Sequence, residues 1–430
     1  MYSYSTKLSS KLQIRIIKFV DSISYPNNKF HETKFLSQMI YGLLSNKSCK
    51  LSEISRALKE KIPLKKVIER VRRNLFHINF NKFIEKYHSI IKPLIDKDCL
   101  ISVDLGDIVK DYAKNMENLE YVRDGNKKCI KKGYNLIQAV AVNSVKQVIP
   151  LTLNLFSVSE KQFKSLNYVV IKCIEDLSYL LGKQTGIYIL DRGNDSIRIL
   201  EKLAELKVNF IMRMNLNRDV FLLNNKKINI KELVKKIKYD FLNKHLIKLS
   251  TKSQKRYLTV MGTEKIKLKG INDIFYLTVL RKVRSKDPEM ILLTTKPINN
   301  SEEAFDIMSK YLRRWGVEDA FRYIKQCYDY EDIRVRKYKS LQNMTKCIFL
   351  TFGFLCIIIQ KSANISKVIN FIIKKAEILF EKTPTFLYYA LSNGISKILF
   401  LNKYLIFKPQ KKKRKIRFCQ LVLPLSLAEF

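Results

Sequence analysis

Near residue 98 the hydrophobic period of this chain changes, and that change constrains the fold more than any other feature. Up to residue 97 apolar residues recur at helical spacing, as in "ETKFLSQMIYGLL" (32–44), "LSEISRALKEK" (51–61) and "LKKVIERVRRNLF" (64–76). From residue 98 the runs shorten and turn β-rich: "CLISVDLG" (99–106), "GYNLIQAVAVN" (133–143) and "QVIPLTLNLFS" (147–157). A helix over 159–182 follows, opened by the capping-box pattern Ser159-x-x-Gln162. Next come a strand over 186–193 ending at Asp191, a helix over 194–207 and a strand over 209–216. Three adjacent antiparallel strands followed by alternating helices and strands predict an α/β fold, a mixed sheet with helices on its faces.

Residues 217–296 interrupt the series with lysine-rich stretches and β-like runs, and read as a mostly β insertion. One long helix is expected over 299–326, with Ser301 as N-cap and Glu302 and Glu303 in the first turn. The remainder, 341–430, is apolar and helical and ends in the basic stretch "KPQKKKRKIRF" (408–418). A chain of 430 residues exceeds one compact core. The expected division is a helical region over 1–97, core segments over 98–217 and 297–345, the β-rich insertion over 218–296, and a helical region over 346–430.

Charge narrows the partners. Lys and Arg number 81 against 39 Asp and Glu, a formal net charge of +42. A field of that sign attracts polyanions, nucleic acid above all. An AT-rich coding bias explains why the cations are mostly Lys, but not why the acids fail to balance them. The eight cysteines and four histidines are scattered without C-x-x-C or comparable spacing, so neither a zinc site nor a disulfide framework is indicated. The N-terminus lacks a signal-peptide pattern, and the run "CIFLTFGFLCIII" (347–359) suits a buried helix better than a bilayer span. A cytoplasmic protein is expected.

In the N-terminal region, Pro63 opens a helix studded with Lys65, Lys66, Arg70, Arg72 and Arg73. The pair of short helices fits a DNA-binding helix-turn-helix, and equally a helical hairpin with a solvated basic face.

The chemistry rests on three acids. Asp104 and Asp191 each close an expected strand, and Glu318 sits mid-helix. Brought together, three carboxylates stay ionised only around cations, and hard divalent ions such as Mg²⁺ or Mn²⁺ suit them. Two such ions can drive an in-line phosphodiester displacement. Tyr311, Arg314, Glu318 and Lys325, joined by Arg322, fall on one stripe of the expected helix. That stripe reads either as a phosphate-holding face or as a solvated one with ion pairs Arg314–Glu318 and Glu318–Arg322.

"YLRRWGVEDAFRYIK" (311–325) resembles the Y-x2-R-x3-E-x6-K signature of bacterial insertion-sequence transposases of the hairpin-forming, cut-and-paste kind. "SVDLGDIVKDYAKNMENLEYVRDG" (102–125) and "YILDRGNDS" (188–196) resemble that family's two aspartate blocks. The resemblance implies an RNase H-like core interrupted by a β insertion, with Asp104, Asp191 and Glu318 as catalytic metal ligands for two Mg²⁺ or Mn²⁺ ions. It implies that Tyr311, Arg314 and Lys325 hold transposon-end phosphates, that the N-terminal helices bind the inverted repeats, and that a homodimer pairs two double-stranded ends and joins them to target DNA. Trp315 is the only tryptophan, so an aromatic wedge in the insertion would be Tyr257, Phe275 or Tyr276. Asp107, Lys110, Asp124 and Arg192 are secondary candidates, and Asp195 reads as a helix cap. The rival readings are a nuclease of the same fold without strand transfer, and a repressor-like or inactive DNA-binding derivative.

Overall fold

Amphipathic repeats at the N-terminus fold as five helices: α1 (Tyr2–Ser22), α2 (Phe30–Asn46), α3 (Leu51–Ala57), α4 (Leu64–His77) and α5 (Asn81–Ile91). The computed structural model describes residues 2–124, 129–182, 184–242, 247–248, 256–360, 366–375 and 386–400. Pro63 stands immediately before α4, where its missing N–H costs nothing, and Val67, Val71 and Leu75 form the buried stripe of that helix. The same helix turns Lys65, Lys66, Arg72 and Arg73 outward.

The β-rich runs form β1 (Leu100–Val109), β2 (Glu120–Asp124), β3 (Cys129–Val142) and β4 (Val148–Phe156). After α6 (Leu166–Leu181) come β5 (Ile187–Leu190), α7 (Ile197–Glu205) and β6 (Asn209–Arg213). β1 is antiparallel to β3 and β3 to β4, whereas β5 is parallel to β1 and β6 to β5. The central order β4-β3-β1-β5-β6, with only β3 reversed, is an RNase H-like mixed sheet, and the fold expected from the sequence holds. β2 pairs with the first residues of β3.

Beyond β6 lie β7 (Asp219–Leu222), β8 (Lys227–Asn229), α8 (Ile230–Lys236), β9 (Phe241–Leu242), β10 (Ile247–Lys248), β11 (Arg256–Tyr257), β12 (Thr259–Leu268), β13 (Ile271–Lys282) and β14 (Pro288–Thr294). Apart from β10 and β11, which pair with each other, these strands build no sheet of their own among the described residues. β14 is antiparallel to β6, and β13, β12, β7 and β8 continue outward, so one sheet of 12 strands runs from core to insertion. The inserted strands are thereby registered directly on the strand that follows Asp191.

The chain returns as α9 (Ser301–Leu312), α10 (Trp315–Cys327) and α11 (Tyr338–Gln360), then α12 (Ser366–Lys375) and α13 (Tyr388–Phe400). Helix α11 is long and apolar enough to span a membrane by length and composition, yet 83% of its most apolar window is buried inside the protein. It packs against β4, α2, α4 and α5. The basic stretch 408–418 lies outside the described residues.

Four local expectations need correction. The helix expected from Ser159 begins at Leu166, where the Ser165 hydroxyl accepts the Tyr168 N–H; Ser159 instead sits in a turn. Asn300, not Ser301, caps α9, its side chain accepting the Glu303 N–H. The single long helix is two, broken at Arg313 and Arg314, where the Arg313 N–H reaches back to both Ser309 and Lys310 carbonyls. Just past the break Gly316 lies against Val142 and Val148, and a Cβ there would come within 3.0 Å of Val142. The break lets the second half settle on the sheet. Finally, Asp104 does not end its strand, because β1 runs on to Val109 against β3.

Candidate active site

The sheet places the first two acids side by side. The parallel ladder between β1 and β5 ends at the pair Val103–Leu190. Asp104 follows on β1 and Asp191 is the first residue past β5, so two carboxylates emerge at one level where the ladder stops. Successive strand residues alternate faces, so Asp104 shares its face with Ser102 and Gly106. A Cβ on Gly106 would come within 2.8 Å of the Phe321 ring, which places α10 on that face. Glu318 lies one turn before Phe321 on the same helix, and the close approach at Gly106 sets its height above Asp104. The opposite face, carrying Ile137, is covered by α6.

Arg314, at the break between α9 and α10, joins all three acids. Its guanidinium donates to Glu318 Oε1 at 2.7 Å and to Asp104 Oδ2 at 3.4 Å, and stands 3.9 Å from Asp191 Oδ2. The residue is only 9% exposed. Tyr311 donates its hydroxyl to Asp191 Oδ1 at 2.9 Å, and Asp104 Oδ1 accepts the Leu105 N–H at 2.9 Å. Lys325, in the last turn of α10, pairs with Asp107 and Glu331 at 3.2 Å each.

These contacts set the proton affinities. Burial pushes the Asp104 carboxyl up to about 6; Arg314 pulls it down, while Asp191 and Glu318 add to the rise. Burial also acts to raise Asp191, but Arg314, the Arg192 N–H, Tyr311 and Arg213 outweigh it and hold that carboxyl below its usual value. Burial and the neighbouring Asp191 push the Tyr311 phenol up, so it stays a donor.

The donor set suits a divalent ion in chemistry: three carboxylates converging, all oxygen ligands. Among the described residues no three such side chains surround a common point closely enough to hold an ion, and the positive charge between them belongs to Arg314. The guanidinium stands where a cation would satisfy the same acids. Arg314 Nε and both amide atoms of Gln138, the residue opposite Asp104 on β3, are buried without a hydrogen-bond partner among the described residues, so this face carries unsatisfied polar groups beside the acids. The residues therefore fit a hard metal ion, provided Arg314 gives way.

Other sequence candidates fall elsewhere. Arg322 does not join the stripe: it pairs with Asp319 at 3.0 Å and is exposed. The break in the helix leaves Tyr311 on α9, whereas Glu318, Arg322 and Lys325 share α10. Lys65, Lys66 and Arg73 are exposed on α4, remote in the chain from the acids, and Lys66 lies 3.6 Å from Glu69. Arg70 is engaged by a two-pronged pair to Glu60, at 2.6 and 2.7 Å. Lys110 is buried and donates to the carbonyls of Glu331 and Ile333, a structural role. Asp124 is buried at the end of β2 rather than in a turn. Asp195 does not cap α7, whose N-cap position is Ser196; it accepts from the Asn215 N–H and pairs with Arg218 at 2.5 Å. Of the aromatics in the insertion, Phe275 is wholly buried against Phe210, whereas Tyr257 and Tyr276 are half-buried beneath Lys282 and Lys265.

Two residues escaped sequence reasoning. Arg213 ends β6 and acts on both Asp191 and Tyr311. With Arg192, Arg218, Lys227 and Lys269 it lines an open cleft of about 1000 Å³ beside Asp191, whose acids include Asp195 and Glu289. The signal available was a cation in the apolar run "NFIMRMNL" (209–216). Gln138 was likewise visible as a lone amide within "NLIQAVAV" (135–142).

Residues 118–352, more than half of the chain, match the family model described as the Transposase DDE domain. The match includes Asp191 and Glu318 and begins after Asp104. No curated protein matches. Among solved structures the chain is similar to the cryo-EM structure of a piggyBac transposase synaptic complex with hairpin DNA, at a TM-score of 0.45 and 10% identity, over 92% of this chain and 80% of that one. Enzymes of the DDE kind work with divalent metal ions, in keeping with the acidic donor set described above. With more than half its length matched to that model, the chain belongs to the Transposase DDE domain family.

Proposed function

We propose that this protein is the transposase of a bacterial insertion sequence, cutting the element's ends and joining the freed 3′ ends to target DNA. One observation carries the reading: Asp104, Asp191 and Glu318, from three separate elements, converge on the guanidinium of Arg314. These acids would hold Mg²⁺ or Mn²⁺, two ions in the working site, which when bound activate a water or 3′-hydroxyl and stabilise the leaving oxygen. Tyr311 orients Asp191 through its hydroxyl. Arg314 counters the acids' charge without metal and offers a planar donor to a DNA phosphate with it. Lys325 supplies a second phosphate-binding charge at the far end of α10.

The exposed Lys65, Lys66 and Arg73 make α4 the element best suited to contact the terminal inverted repeats. Arg70, held by Glu60, braces the turn between α3 and α4. A homodimer pairs two ends, acting on the nucleoid in the cytoplasm. The hairpin step, if the enzyme uses one, falls to Tyr257 or Tyr276 as the aromatic wedge, since Phe275 is enclosed in the core.

Cleavage of labelled DNA carrying the element's own ends tests this directly, with Mg²⁺, Mn²⁺ or neither. Asp104→Ala, Asp191→Ala and Glu318→Ala should each lose cleavage by at least 10³-fold, of the order expected when a charge-stabilising group leaves an active site, while end binding persists. Wild-type cleavage by any of them removes that residue from the ligand set. Cutting without joining would indicate a nuclease of the same fold, and binding without cutting in either metal a repressor-like protein.

A further inference from the structure

Gln138 lies in the middle of β3, flanked by Leu136, Ile137, Ala139 and Val140, and is 1% exposed. An amide so placed must find partners or remain costly to bury. Among the described residues neither its Nε2 nor its Oε1 has one. Its register partner on β1 is Asp104. Directly opposed residues of an antiparallel pair project from the same face with Cβ atoms about 5 Å apart. The amide is thus laid beside the carboxylate on the face that α10 covers.

Asp104 itself is loosely held. Its Oδ1 accepts the Leu105 N–H at 2.9 Å, but among the described residues Oδ2 has only the long 3.4 Å bond from Arg314. Arg314 must leave that oxygen before a metal ion can take it, and a ligand carboxylate then needs another donor to fix its orientation. The other polar side chain on this part of the strand, Ser102, also has a buried hydroxyl without a partner, but it lies two residues back along β1, about 6–7 Å away. Gln138 is the donor placed opposite the acid.

We propose that Gln138 is a positioning residue for the metal-binding carboxylate of Asp104, its amide N–H donating to that carboxylate when Arg314 is displaced. The inference rests on the proposed reading of Asp104 as a metal ligand. A residue serving only to fill space at this point would be replaceable by an apolar side chain of similar size with no effect on metal affinity.

The experiment is a Mn²⁺ titration of the full chain, read by the electron paramagnetic resonance of the free ion, on wild type, Gln138→Met, Gln138→Leu and Asp104→Ala. Both apolar variants should melt at or above the wild-type temperature, because no existing hydrogen bond is removed, yet bind Mn²⁺ about 10-fold or more weakly, the range seen when a ligand's supporting partner is lost. Two apolar side chains of different shape keep the result readable if one packs badly. Wild-type affinity in Gln138→Met and Gln138→Leu, with binding lost in Asp104→Ala, would overturn the positioning role alone. Wild-type affinity in Asp104→Ala as well would overturn the metal-ligand reading and this inference with it.

Discussion

Asp104 and Asp191 are the same residue type at the same level of one sheet, and their surroundings push them in opposite directions. Asp191 has the Tyr311 hydroxyl, the Arg192 N–H and two arginines, and these overcome its burial. Asp104 has burial, two neighbouring acids and one distant guanidinium contact, and its carboxyl rises to about 6. A raised folded-state value means that the folded protein holds a proton the unfolded chain, titrating near 4, has already released. Stability from this site is therefore full below about pH 4 and is lost as pH rises towards 6. Asp104→Asn should remove that loss, so metal-free Asp104→Asn gains on wild type with increasing pH, on the order of 3 kcal/mol by pH 7. Urea unfolding at pH 4 and pH 7 measures it, and an equal difference at both pH values would contradict the assignment. Divalent metal should narrow the gap at pH 7, because it stabilises only the protein that retains the acid.

At the scale of elements, glycine and an ion pair do work that periodicity does not reveal. Gly106 lets α10 approach β1 closely enough for the Phe321 ring to occupy the space of a side chain. Gly106→Ala should push α10 outward, costing about 1–3 kcal/mol as overpacking does. It should also weaken cleavage, because Glu318 rides on the same helix. Pairing it with Phe321→Leu should recover part of both, and equal activity in Gly106→Ala and wild type would show that α10 tolerates the shift. In the N-terminal region, Glu60 accepts both arms of Arg70 and the Gln38 amide, tying α2 to the turn before α4. Burial opposes Glu60's ionisation, but Arg70 outweighs it and holds the carboxyl below its usual value. The stability it adds is present above the unfolded value near 4.3 and is lost as pH falls through the folded one. Glu60→Gln should cost about 1 kcal/mol at pH 7 and almost nothing near pH 3, as thermal unfolding at the two pH values would register.

For the whole molecule the dominant quantity is charge. A net +42 on 430 residues makes association with DNA depend on displaced counterions. Affinity for duplex DNA of arbitrary sequence should fall with added KCl along a log–log slope steeper than about −5, corresponding to some six phosphate contacts or more. Fluorescence anisotropy over a salt series measures the slope, and a value near −1 would mean that the cations are spent on internal pairs. The internal pairing visible at Arg70 and Arg218 already removes both from any DNA surface. Charge count alone overstates the interface.

The sequence by itself determined most of the core strands and helices. Period and composition located β1, β3, β4, β5 and β6 and the span that α9 and α10 occupy, because strand alternation and helical spacing are local properties; the resemblance to a transposase family singled out the acids at 104, 191 and 318. The sequence misjudged what depends on neighbours. Ser159 matches a capping box as well as Ser165 matches an N-cap, and only the packing of α6 on the sheet decides where that helix starts. Arg322 shares a helical stripe with Arg314 and Glu318, yet its guanidinium turns to Asp319 at the exposed surface. The inserted strands read as a unit apart, yet β14 pairs with β6 and carries them into the core sheet. Convergence of the three acids on Arg314, and the placing of Gln138 opposite Asp104, arise from strand register between segments distant in sequence. Hydrogen-bond pairing and close packing select that register, and no local pattern encodes it.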